Sequence, residues 1–125
     1  MKFLPRRAAI DTFGNGGFRF AGLSHLGSLL VLPSGMRAWS PVDLASLKAA
    51  DFAAVLAEKS LIDVLVIGSG AVMARPPRLV LDHLASSDIR FDFMSTSSAI
   101  HTYNLMLGEN RRVATALLAV GTFHE

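Results

Sequence analysis

The sequence predicts a single-domain α/β fold built around a parallel sheet, and three observations carry that expectation. Residues 61–67 are apolar on both alternating faces apart from Asp63, the pattern of a strand buried between two layers. Two strand–helix–strand steps run from about residue 41 to 93, and such steps join parallel neighbours. Residues 89–93 alternate cleanly between apolar and charged, as a strand nearer a sheet edge does.

Taken in order, residues 8–13 and 18–23 read as two strands around Gly14-Asn15-Gly16-Gly17, a hairpin signal. Phe18 and Phe20 alternate with Arg19 and Ala21, so one face of the second strand is buried. Residues 26–32 form a third strand closed by Pro33-Ser34-Gly35. Ser40-Pro41, an N-cap followed by proline at the first helical position, predicts a short helix over residues 42–47. A second short helix, capped by Asp51, buries Phe52, Val55 and Leu56. Gly68-Ser69-Gly70 ends the strand over residues 61–67, and Pro76-Pro77 opens a helix to about Ala85. The four hydroxyl residues Ser95 to Ser98 start another helix, because their side chains accept from unpaired backbone N–H groups. At about 100° per residue, Ala99, Ile100, Tyr103, Met106 and Leu107 fall within one arc of about 120°. Leu105 falls opposite that arc and needs another layer or a partner. The helix breaks at Gly108, and residues 113–118, apolar on both faces, read as a buried strand over a continued helix. Residues 1–7 are expected to be flexible and 119–125 to form a tail.

The bulk numbers fit one domain of 125 residues. A hydrophobic fraction of 51%, with 18% charged residues and a mean hydropathy of +0.43, implies a sheet covered on both faces or a sizeable sticky surface. Net charge is +2 with the basic residues scattered, so no nucleic-acid partner is expected. The chain has no cysteine, which excludes disulfides, thiolate metal sites and a cysteine nucleophile and fits a reducing compartment. Its four histidines have no short ligand spacing, so neither a metal nor a cofactor is expected. No apolar run approaches the roughly 20 residues that span a bilayer. Pro5 and Asp11 interrupt any signal-peptide core behind Lys2, Arg6 and Arg7, which makes the cytoplasm the simplest location.

Gly68-Ser69-Gly70 after an apolar strand invites a nucleotide reading, but Met73 stands where a third glycine is needed. Pro76-Pro77 delays the helix, no acidic residue follows at Phe93-Met94, and the phosphate-binding lysine is absent. A nucleophile elbow would need glycine at Ile67 and Ala71. A tight turn is therefore preferred to a cofactor loop. If the strands ending at Ile67 and Phe93 are parallel, their exits open on one edge of the sheet, where ligands of open α/β sheets bind. Gly68, Ser69, Gly70, Ser95, Thr96, His101 and Arg75 would then line a pocket tolerant of a small anion, helped by Arg78. The plainer alternative is a capped helix beside a turn. No residue set supplies a nucleophile with its base, so no catalytic residue is assigned. Thr102-Tyr103-Asn104 diverge by about 100° per step and cannot converge on one atom. Tyr103 belongs on the buried face with a partner for its hydroxyl, and Asn104 is placed to tie the helix to a neighbouring backbone. Glu109, Arg111 and Arg112 form a charged corner, read as a solvated turn or local ion pair. Trp39 covers the core edge, or, if exposed, marks a contact surface.

In combined order, Gly14-Asn15-Gly16-Gly17-Phe18, Gly27-Ser28-Leu29-Leu30-Val31, Trp39, Ile67-Gly68-Ser69-Gly70, Met94-Ser95-Thr96, Ala99, Thr102-Tyr103-Asn104, Glu109 and Arg111-Arg112-Val113 carry a resemblance. The chain resembles, over about residues 10 to 118, a small domain-of-unknown-function family whose mitochondrial members are similar to respiratory complex I assembly factor 3. The resemblance implies a three-layer α/β fold with a mixed, largely parallel central sheet, an N-terminal hairpin and a last core strand antiparallel to the others. It implies no catalytic residues. It implies a non-enzymatic protein-interaction or assembly module, with subunits or assembly machinery of a membrane complex as partners. A cytoplasmic protein peripheral to the inner membrane of a prokaryote would fit. The chain departs from the family at His101, where relatives often carry arginine, and shows no mitochondrial-type presequence before residue 8.

Overall fold

A computed structural model describes residues 3–121; Met1, Lys2 and residues 122–125, with most of the expected tail, lie outside the described residues. Two Gly-containing turns build a small antiparallel sheet. β2 (Ile10–Gly14) and β3 (Gly17–Phe20) are joined by Asn15-Gly16 at φ 53° and 79°, the left-handed pair that a type I′ hairpin turn requires. β3 then turns through Ala21-Gly22, at φ 50° and 75°, into β4 (Leu23–Leu26). The sequence reading extended the second strand to residue 23 and began the third at residue 26. It missed β4, because alanine hides a turn that asparagine would have announced. Ala21 holds a conformation costing an L-residue about 1–2 kcal/mol. Ala21→Asn therefore gains about 1 kcal/mol, measured as a raised urea midpoint at unchanged slope.

β5 (Ser28–Leu32) is buried at all five positions and pairs antiparallel with β6 (Gly35–Trp39) across Pro33-Ser34. β6 was not anticipated either, since Gly35 and Arg37 break its apolar pattern. Phe3–Leu4, within the segment expected to be flexible, form β1 against β6. Arg7 behind it donates to the carbonyls of Arg111 and Val113 at 3.2 and 2.9 Å.

The helix expected over residues 42–47 is absent. There the Asp43 carboxylate takes the Ser46 N–H at 2.9 Å, a local turn that competes with helix. The next helical segment is a 3₁₀ turn, Ala49–Phe52, running into α1 (Ala53–Ala57). Asp51 reaches back to the Lys48 N–H at 2.8 Å, so Lys48 is the N-cap and Asp51 the third residue of the turn.

β7 (Val64–Gly68), α2 (Arg78–Ser86), β8 (Phe91–Met94), α3 (Thr96–Gly108) and β9 (Val113–Leu117) complete the chain. The main sheet has six strands in the order β1-β6-β5-β9-β7-β8. β8 is its outer strand, as the alternation over residues 89–93 predicted. β9 corrects the expectation of a last core strand antiparallel to the others: it is antiparallel to β5 but parallel to β7. α3 returns the chain along the whole sheet after β8, so β9 must start at the end where β8 started. The sheet is accordingly mixed, with two parallel pairs, β9·β7 and β7·β8, against three antiparallel pairs, β1·β6, β6·β5 and β5·β9.

Three layers result. On one face Phe52, Val55, Val80 and Leu84 from α1, α2 and the 3₁₀ turn pack on Leu65 and Ile67 of β7 and Leu30 and Leu32 of β5. On the other, Ala99, Ile100 and Tyr103 of α3, with Phe18 and Phe20 of the hairpin sheet, pack on Val64, Val66, Leu29 and Val31. Alternating residues of β7 thus feed opposite cores, which explains why its sequence is apolar throughout.

Candidate functional site

The exits of β7 and β8 share one rim, because Gly68 and Met94 stand side by side in a parallel register. Gly68, Ser69, Gly70, Ser95 and Thr96 are brought together there. Their polar atoms engage one another and the neighbouring backbone. The Thr96 hydroxyl, 0% exposed, donates to the Leu118 carbonyl at 2.8 Å and accepts the Gly70 N–H at 3.0 Å. The Thr96 N–H donates to the Gly70 carbonyl at 2.8 Å, and the Leu118 N–H to the Gly68 carbonyl at 3.0 Å. One threonine therefore binds the ends of β7 and β9 to the start of α3. The Ser69 hydroxyl lies 2.8 Å from the Val72 carbonyl and 3.0 Å from that of Met94, and accepts the Ala74 N–H at 3.2 Å. Gly68 leaves room for this joint: a Cβ there would come within 2.8 Å of a Leu117 methyl and 2.9 Å of the Thr96 hydroxyl. Ser95 is the N-cap of α3, accepting the Ser98 N–H at 3.3 Å.

Two of the expected pocket residues stand outside the joint. Arg75 is exposed, its guanidinium 6.0 Å from the centroid of the Phe93 ring, and His101 is exposed on α3.

The rest of α3 is a clamp on the hairpin. Tyr103 is fully buried and donates to the Ala8 carbonyl at 2.8 Å. Asn104 completes a two-way amide pair with Ile10, donating to its carbonyl and accepting its N–H, each at 2.9 Å. Thr102 turns toward the Met94 sulfur at 3.5 Å, so the three neighbours diverge as the helical geometry requires. Burial drives the Tyr103 hydroxyl pKa far above the ordinary phenol value, with Arg7 opposing weakly. A raised pKa here favours the neutral form in the fold, so stability falls once pH rises above the unfolded-state value of about 10. Tyr103 is the sole tyrosine, and phenolate absorbance should therefore appear only with unfolding in an alkaline titration followed by ultraviolet absorbance and circular dichroism.

Trp39 is buried, donates to the Asp51 carbonyl at 2.9 Å and meets Phe52 edge-on at 5.5 Å, so it seals a core edge. Leu105 is 58% exposed on the outer face of α3. In the charged corner Arg111 approaches Glu109 at 3.9 Å, while Arg112 takes Asp63 at 2.8 Å. The Arg112 hydrogen bond, partly opposed by desolvation, holds the Asp63 carboxyl below its ordinary pKa.

Sequence reasoning overlooked a cavity of about 670 Å³ at the opposite rim, lined by Lys59, Asp63, Asp88, Arg90 and Arg111 with Ile62 and Ile89. The available signal was a charged residue directly before each parallel strand: Asp63, Arg90 and Arg112. Among the described residues no group of three histidine, aspartate or glutamate side chains could hold a metal ion, and no helix is long and apolar enough to cross a membrane.

Fold and rim together define a small three-layer α/β domain whose strand exits are fastened into a joint. The chain belongs to the family described as protein of unknown function (DUF498/DUF598), whose profile matches residues 10–118. It is 38% identical over 109 residues to an uncharacterised protein of Rhodobacter capsulatus, covering 87% of this chain and 82% of that one. A solved structure described as an outer membrane protein from Bartonella henselae is 42% identical, with a TM-score of 0.87 over 93% of this chain and 98% of that one. More distantly, the chain is 28% identical over 109 residues to NADH dehydrogenase [ubiquinone] 1 alpha subcomplex assembly factor 3 of Danio rerio, spanning 87% of this chain and 63% of that protein.

Proposed function

We propose that the chain is a non-enzymatic protein-interaction module of the assembly type, working through its outer surface. The observation that carries this is Leu105, a large apolar side chain left 58% exposed on a helix whose inner face is fully engaged. The helix carries no Asp, Glu, Lys or Arg from Thr96 to Gly108, so nothing charged opposes desolvation of that face. The similarity to an assembly factor for NADH dehydrogenase supports partners that are subunits or assembly machinery of a membrane complex. The reading places the module in the cytoplasm, peripheral to the inner membrane. The competing reading, a small-anion or enzyme site at the carboxyl-end rim, is less favoured because the Ser69 and Thr96 hydroxyls are already hydrogen-bonded within the protein.

Capture from detergent-solubilised native membranes tests it. Wild-type protein should retain a defined set of complex subunits, and Leu105→Glu should lose at least tenfold of that capture while its melting temperature and circular dichroism stay unchanged. Equal capture by the variant would remove this face from the account.

A further inference from the structure

Three parallel strands start on the rim opposite the joint, since Val64 pairs with Val113 and Leu65 with Phe91. The topology therefore collects there the residues that precede each strand, and the cavity of about 670 Å³ opens among them. Two of its five charged lining residues are accounted for locally. Arg112, beside the cavity, holds Asp63 at 2.8 Å. Lys59 donates to the Ser87 carbonyl at 2.8 Å, answering the negative end of α2. Two guanidiniums remain. Arg90 makes no ion pair among the described residues, and Arg111 reaches Glu109 only at 3.9 Å. Ile62 and Ile89 also line the groove but are almost wholly buried, so its accessible wall is mostly polar, and Asp88 stands as its one unanswered carboxylate.

We propose that this groove binds an acidic segment of a partner protein, with carboxylates on Arg90 and Arg111. Guanidinium forks match carboxylates two bonds at a time, which a lysine pair would not do. A lipid surface fits less well, because a flat anionic sheet cannot enter a concave groove and would meet Asp88. A single small anion would leave most of the volume unused. Leu105 is not among the residues lining the groove, so this proposal and the reading above are tested by different substitutions.

The test uses the full chain and an octapeptide of glutamate and leucine, titrated at low salt and followed by ¹⁵N–¹H chemical shifts. Saturable shifts are expected at Asp63, at 88–90 and at Arg111, and charge reversal by Arg90→Glu with Arg111→Glu should weaken binding at least tenfold while the spectrum elsewhere is retained. Should the double variant fail to fold, Arg90→Gln and Arg111→Gln singly should each weaken it several-fold. Shifts scattered over the surface, or affinity indifferent to these substitutions, would overturn the proposal. So would inorganic phosphate producing the same shifts with the peptide unable to displace it, or phosphatidylglycerol vesicles binding through Arg90 and Arg111 where the peptide does not.

Discussion

Thr96→Val is expected to lower folding stability by about 2–4 kcal/mol, although the two side chains have nearly the same shape. The substitution leaves the Leu118 carbonyl and the Gly70 N–H without the hydroxyl they share, in a position closed to water. Each buried polar group left unmet costs about 1–3 kcal/mol. Thr96→Ser keeps the hydroxyl and loses only a methyl, so it should cost about 1 kcal/mol. Equilibrium urea unfolding of the three proteins gives the ordering directly. A valine variant within 0.5 kcal/mol of wild type (roughly the scatter expected for surface substitutions) would mean that the rim is not a structural joint.

Tyr103→Ala is expected to cost more, about 3–5 kcal/mol, the range for removing a buried aromatic ring. The ring fills the core between α3 and the hairpin sheet, and its hydroxyl holds the Ala8 carbonyl just before β2. Tyr103→Phe separates these contributions: it keeps the packing and strands the carbonyl, at about 1–3 kcal/mol. Because the Asn104–Ile10 amide pair grips the same strand, the effects of Tyr103→Phe and Asn104→Ala should not add. Hydrogen exchange in β2 and β3 should accelerate before that in β7 and β9, since the Tyr103 and Asn104 hydrogen bonds that are removed grip Ala8 and Ile10 at the start of the hairpin. Uniform acceleration across both sheets would show that the hairpin and main sheet open as one unit.

The parts of this fold that were readable in the sequence are those with one strong local signal. β7 is apolar on both faces, β8 alternates, and Ser95 caps α3 where the hydroxyl run begins. β4 and β6 were hidden because their turns and patterns are irregular: an Ala-Gly turn precedes one, and Arg37 interrupts the other. The direction of β9 could not be read from residues 113–117, whose composition suits either direction; it is fixed by the length of α3. In the structure Gly68, Gly70, Ser95 and Thr96 meet at one rim. Its character was not legible, because the acceptor of the Thr96 hydroxyl is Leu118, just past the end of β9 and 22 residues along the chain. The groove at the other rim is harder still, as its ion pair joins Asp63 to a residue 49 positions along the chain.

The proposal puts function on outer surfaces, while the hydrogen bonds of Thr96 and Ser69 hold the carboxyl-end rim together. Thermal melting in the presence of phosphate, sulfate and nucleotides tests that division most directly, because a ligand that binds only the folded state must raise the melting temperature. The account predicts no saturable shift that depends on the rim. A concentration-dependent rise of several degrees that disappears in Ser95→Ala, with the fold intact, would contradict it and restore a ligand pocket beside Gly68 and Gly70.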